Sequence, residues 1–151
     1  MGGGIALQAA AVEPRIVAVA AEAPFSSFRE ASYDYAGFHR SPWLGRILFR
    51  PVVEAGFVAT KRLAGFWPSD VSPEKSVAQR AFPILLISDG DDVVLPLRHQ
   101  QSIVAAAAGP KELWIVPGAT HASAMGVAPE EYRRRVLAFF TAARATCSTS
   151  K

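Results

Sequence analysis

The chain has 151 residues, half of them hydrophobic and 19% charged, a balance that supports one domain with its own core and excludes a disordered polar chain. The formal net charge is +3 and the isoelectric point about 9.4. The cations at Arg46, Arg50, Lys61 and Arg62 are scattered, and no basic stripe with aromatic partners marks a nucleic-acid surface. The single cysteine, Cys147, can close no internal disulfide, and no apolar run is long enough to span a bilayer. The first fifteen residues lack a basic n-region and carry Glu13 early, so they make a poor signal peptide. The expectation is a cytoplasmic chain with neither nucleic acid nor membrane as partner.

In chain order, Gly2-Gly3-Gly4 is followed by an alanine-rich helical pattern at 5–12, stopped by Glu13-Pro14. Residues 16–20 are apolar at every position, which predicts a short parallel strand covered on both faces. Residues 24–78 read as an irregular insertion with short helices, for instance 51–63; its centre, about 30–70, is lid-like. The clearest strand is 83–88, followed at its C-terminal end by Asp89-Gly90-Asp91-Asp92. A helix over 95–108 stops at Gly109-Pro110, and a third strand covers 112–116 before Pro117-Gly118 turns the chain. The last helix begins near Pro129. Tyr132, Val136, Phe139, Phe140 and Ala143 form its buried stripe, Glu130 and Glu131 its first turn, Arg144 its last turn, and the run Arg133, Arg134 and Arg135 a solvated face. The tail from Thr146 reads as frayed. Strands alternating with helices indicate an α/β class with a parallel sheet of about three strands, in a single domain over 1–151.

In open α/β sheets, functional groups collect on loops beyond the C-terminal ends of strands. Two such loops carry ionisable groups: Asp89, Asp91 and Asp92 on one, His121 on the other. A carboxylate beside an imidazole fixes its tautomer and supports its protonated form, which is half of a nucleophile-activating device. Ser26, Ser27 and Ser123 lie in no Gly-flanked turn, and His39 and His99 read as structural. Asp89-x-Asp91-Asp92 lacks the Gly and Glu positions of a calcium loop, so neither metal nor cofactor is implied.

The segment from Ile84 to Pro96, with Asp92-Val93-Val94-Leu95-Pro96, resembles the acid-bearing strand and loop of α/β-hydrolases. The resemblance implies Asp92 as triad acid, with Asp91 as its rival. Val116-Pro117-Gly118-Ala119-Thr120-His121 is similar to the strand and loop that deliver the triad histidine, which implies His121. Acid before histidine agrees with the chain order of that fold. Met1-Gly2-Gly3-Gly4 and the alanine-rich helix are similar to the stretch directly after the nucleophile serine in that family. Met1 then takes the position whose backbone N–H donates to the oxyanion hole, and the serine lies upstream of Met1. Glu22-Ala23-Pro24-Phe25-Ser26-Ser27-Phe28 is similar to the corresponding segment of serine hydrolases related to prolyl oligopeptidase and dienelactone hydrolase. One departure stands in the acid strand, where Ser88-Asp89 replaces the usual His-Gly.

The resemblance implies an N-terminally truncated α/β-hydrolase domain whose parent hydrolyses an ester, thioester or amide. Its substrate is a small acyl compound or a peptide, and its partners are the missing N-terminal half or a second copy. The alternative is a non-catalytic fragment that acts as a binding or complementing piece.

Overall fold

The computed structural model describes residues 1–37 and 43–149, so His39 lies outside the described residues. Three parallel strands form one sheet in the order β1-β2-β3: Val19–Glu22, Ile84–Asp89 and Lys111–Val116. β2 is buried along its whole length because both faces of the sheet are covered. Ile84 and Leu86 face one side and pack with Leu7 and Ala10 of α1 (Gly2–Val12) and Ile103 of α5 (Arg98–Ala106). Leu85 and Ile87 face the other and meet Tyr132, Val136 and Phe139 of α7 (Pro129–Thr149). This period-two division places β2 at the centre of the core.

The first strand begins three residues later than the apolar run 16–20 predicts. Val19 pairs with Ile84 and its N–H donates to Pro83 O, which fixes the register. Ile16 O is instead taken by the Arg80 guanidinium, which also binds the carbonyls of Ala10, Glu13 and Pro14 at the end of α1. Helix α1 starts at Gly2 rather than at residue 5. A Cβ at Gly3 would sit 3.1 Å from the Ala21 Cβ, and one at Gly4 would sit 3.0 Å from the Phe25 ring. The glycine run therefore lets this helix lie directly on β1.

The insertion is more regular than its sequence suggests. It holds α2 (Phe28–Ala36), a π-turn at Leu44–Leu48, α3 (Arg50–Ala64), a 3-10 turn at Pro68–Asp70 and α4 (Pro73–Val77). Ser27 caps α2 by accepting from Glu30 N, and Ser72 caps α4 by accepting from Lys75 N. Gly65, at φ 81°, ends α3 in the left-handed region.

Helix α5 is shorter than 95–108, because Asp92 holds the amides of Val94 and Leu95 in a turn ahead of it. Helix α7 runs to Thr149, so Arg144 is not in its last turn and the tail from 146 is helical as far as 149. Phe140 is exposed rather than part of the buried stripe, which Ala143 does join. Arg135 leaves the solvated face, lying 5.1 Å over the Trp114 ring and binding Glu112 at 2.7 Å. Among the described residues no helix is long and apolar enough to cross a membrane.

Candidate active site

The C-terminal ends of β2 and β3 carry the two ionisable loops side by side. Gly90 N donates to Val116 O at 2.8 Å and Asp91 N to Ala119 O at 2.9 Å, lacing the loops together. A Cβ at Gly90 would stand 2.8 Å from Val116 O, so only glycine permits this approach. The lacing brings Asp92 Oδ2 to 2.8 Å from His121 Nδ1.

The two oxygens of Asp92 are divided between two tasks. Oδ1 accepts from Val94 N at 2.7 Å and Leu95 N at 2.9 Å, so the turn-capping role and the imidazole contact coexist. With its side chain only 1% accessible and held by these amides, the carboxylate has one oxygen left to orient the ring. His121 is 39% accessible. Asp92 occupies Nδ1, so Nε2 is the nitrogen that can take a proton from a neighbour. Asp91, the rival acid, is exposed, and its backbone rather than its carboxylate is used.

The histidine loop is held tightly. Thr120 N donates to Ser123 Oγ and Ser123 Oγ to Thr120 O, each at 2.8 Å. Ala122 N donates to Asp89 Oδ2 at 2.9 Å, and Ala124 N to Glu22 Oε1 at 2.9 Å. Tyr132 O–H donates to Glu22 Oε2 at 3.1 Å. Burial first, then the charge and hydrogen bond of Glu22 and the charge of Asp89, push the Tyr132 phenol up to about 12. Glu22 and Asp89 thus join the site through contacts that no local spacing announces. The one sequence signal for either was a polar residue at the end of an apolar strand.

His121 and Met1 line a common cavity of about 400 Å³, with Phe25, Phe28, Tyr35, Val94 and Leu95 completing its wall. A second apolar cavity of about 290 Å³ shares Met1, Phe25 and Phe28 and continues past Ile5, Phe66, Pro68 and Val71. Met1 sits at the N-terminus of α1, where its carbonyl accepts from Gly4 N at 3.1 Å and Ile5 N at 3.3 Å.

A cavity of about 600 Å³ lies elsewhere and is polar, with Ser26, Arg46, Lys75, Arg98 and His99 among its walls. At its wall a Ser and a His stand in hydrogen-bond order with an Asp. Ser26 Oγ is 2.9 Å from His99 Nδ1, and His99 Nε2 is 2.8 Å from Asp34 Oδ2. Ser26 N–H shares the same Nδ1, Asp34 also pairs with Arg98, and all three members are buried. Ser26 is 3% and His99 1% accessible at the wall of that cavity. The array ties α2 to α5. Among the described residues, no group of three or more His, Cys, Asp or Glu forms a metal-holding arrangement.

No protein-family model matches the chain, and no curated protein sequence matches it. Solved structures do. An esterase of Pyrococcus furiosus, Pf2001, is similar over 93% of this chain and 50% of its own, with 19% identity and a TM-score of 0.65. An acetyl xylan esterase from Paenibacillus sp. R4 is similar over 91% of this chain and 42% of its own, at 20% identity and a TM-score of 0.63. A putative non-heme bromoperoxidase of Mycobacterium tuberculosis H37Rv, BpoC, covers 93% of this chain and 64% of its own, at 19% identity and a TM-score of 0.58. The chain has a partial α/β-hydrolase fold. It spans half the length of the Pyrococcus esterase.

Proposed function

We propose that this chain is the C-terminal portion of a serine hydrolase that cleaves an ester, thioester or amide, with Asp92 and His121 as two members of a Ser-His-Asp relay. The observation that carries the reading is the 2.8 Å contact between a buried, amide-held carboxylate and a partly open imidazole on the cavity that Met1 also lines. In this reading the serine lies upstream of Met1, on the turn that leads into α1. Its hydroxyl attacks the substrate carbonyl and its proton passes to His121 Nε2, while Asp92 stabilises the imidazolium. The Met1 N–H, at the positive end of α1, stabilises the oxyanion. His121 then returns the proton to the leaving group, and water repeats the sequence on the acyl-enzyme.

No cofactor enters this chemistry. The apolar wall formed by Phe25, Phe28, Val94 and Leu95 suits the uncharged side of an acyl or peptide substrate. The natural partner is the upstream half, which would cover the outer edge of β1. A reducing, cytoplasmic setting agrees with the single cysteine. In the protein extended upstream of Met1, Asp92→Asn and His121→Ala should each lower kcat by about 10³-fold or more, because relay members act as a unit. Retained turnover in either variant removes that residue from the relay.

A further inference from the structure

The relay leaves one buried carboxylate at the same strand ends without a role. Asp89 closes β2 and is 1% accessible. Its Oδ2 accepts the Ala122 N–H at 2.9 Å, and among the described residues its Oδ1 has no hydrogen-bond partner. Ala122, the residue directly after His121, sits at φ 57°. A non-glycine residue in the left-handed region is unfavourable and persists only where its surroundings over-determine it. The surroundings here are explicit: Asp89 holds the amide of Ala122, and Glu22 holds the amide of Ala124.

We propose that Asp89 is a positioning residue for His121, a buried acceptor that pins the strained Ala122 backbone and so fixes the imidazole against Asp92. The assignment rests on the hydrolase reading of Asp92 and His121. The resembled pattern has glycine at this position, which offers no side-chain acceptor. Burying a carboxylate is costly unless it is hydrogen-bonded, and the bond Asp89 makes goes to the amide of the residue directly after His121. Glu22 supports the same loop from β1 through Ala124 and Tyr132, but it does not touch the residue next to His121.

The test is nitrogen-15 NMR on the 151-residue chain, reading the His121 tautomer, its Nδ1–H resonance and hydrogen exchange at the Ala122 amide. No turnover is required. Asp89→Asn keeps an acceptor oxygen and should keep both the Nδ1–H tautomer and a protected Ala122 amide. Asp89→Ala should mix the tautomers, weaken the Nδ1–H signal and speed Ala122 exchange at least tenfold, while the Leu86 amide keeps its protection. A single tautomer with a protected Ala122 amide in Asp89→Ala would overturn the proposal. So would mixing in Asp89→Asn as large as in Asp89→Ala. If Asp89→Ala does not fold, Asp89→Asn decides alone, and loss of Ala122 protection there overturns the assignment. Asp92→Asn separates this inference from the one beneath it. An unchanged Nδ1–H signal in that variant sinks the relay, while the Ala122 amide still reports on Asp89.

Discussion

Truncation of Asp34 probes how the insertion is anchored. Asp34 and His99 are buried, with Asp34 Oδ2 2.8 Å from His99 Nε2 and Arg98 against the other oxygen. Asp34→Ala strands the His99 N–H, at about 1–3 kcal/mol for a buried group left without its partner. The Arg98 side chain is 37% accessible and can turn to water, so its share is small. The expected loss is about 3 kcal/mol, at the lower end of the range for breaking a buried pair. At about 3 °C per kcal/mol for a domain of this length, Tm should fall by about 9 °C. Asp34→Asn keeps an acceptor for His99 and should lose about half as much. Urea unfolding and thermal melts at pH 7 measure both. A loss in Asp34→Ala below about 1 kcal/mol would refute the anchoring role, since an ordinary surface change costs no more.

The same group sets an acid limit. Burial pushes Asp34 up, but hydrogen bonds from His99 and Arg98 and their charges outweigh it, holding the carboxyl below its ordinary value. A depressed folded-state value means that its contribution is complete above the ordinary aspartate range and fades as pH falls through and below that range. A melt series from pH 6 to pH 2.5 should show Asp34→Asn losing less stability on acidification than the parent; parallel curves would contradict this. Leu86→Ala, which empties a fully buried position on β2, should cost about 2–5 kcal/mol in urea unfolding. Gly90→Ala brings a Cβ against Val116 O and should separate the two loops, seen as loss of the His121 Nδ1–H resonance with a smaller change in Tm. Glu22→Gln removes the charge that helps raise the Tyr132 phenol, so an ultraviolet titration should show Tyr132 ionising below its parent value of about 12.

The residues themselves carried the alternation of strands and helices and the two ionisable loops, because each depends on short-range features: an apolar run, a turn, an ionisable residue. The choice of Asp92 over Asp91 as partner of His121 came from the resemblance alone. The sequence did not carry register. Residues 16–20 are as apolar as a strand can be, yet Val19 pairs with Ile84 and Ile16 O goes to Arg80, so the strand is shifted by three. It also hid the residues that work at a distance. Glu22 holds Ala124 and Tyr132, each more than a hundred positions away, and Asp34 finds His99 across sixty-five. Asp89 was visible as a departure from the resembled pattern, but its bond to Ala122 appears only when β2 and β3 lie side by side.

The proposed hydrolase stands or falls on a serine upstream of Met1 that completes the relay of His121 and Asp92. Sequencing the coding DNA ahead of the Met1 codon tests this most directly. The expected result is an open frame that runs through an apolar strand and Gly-x-Ser straight into Met1. A stop codon or an unrelated frame immediately ahead of Met1 would contradict it.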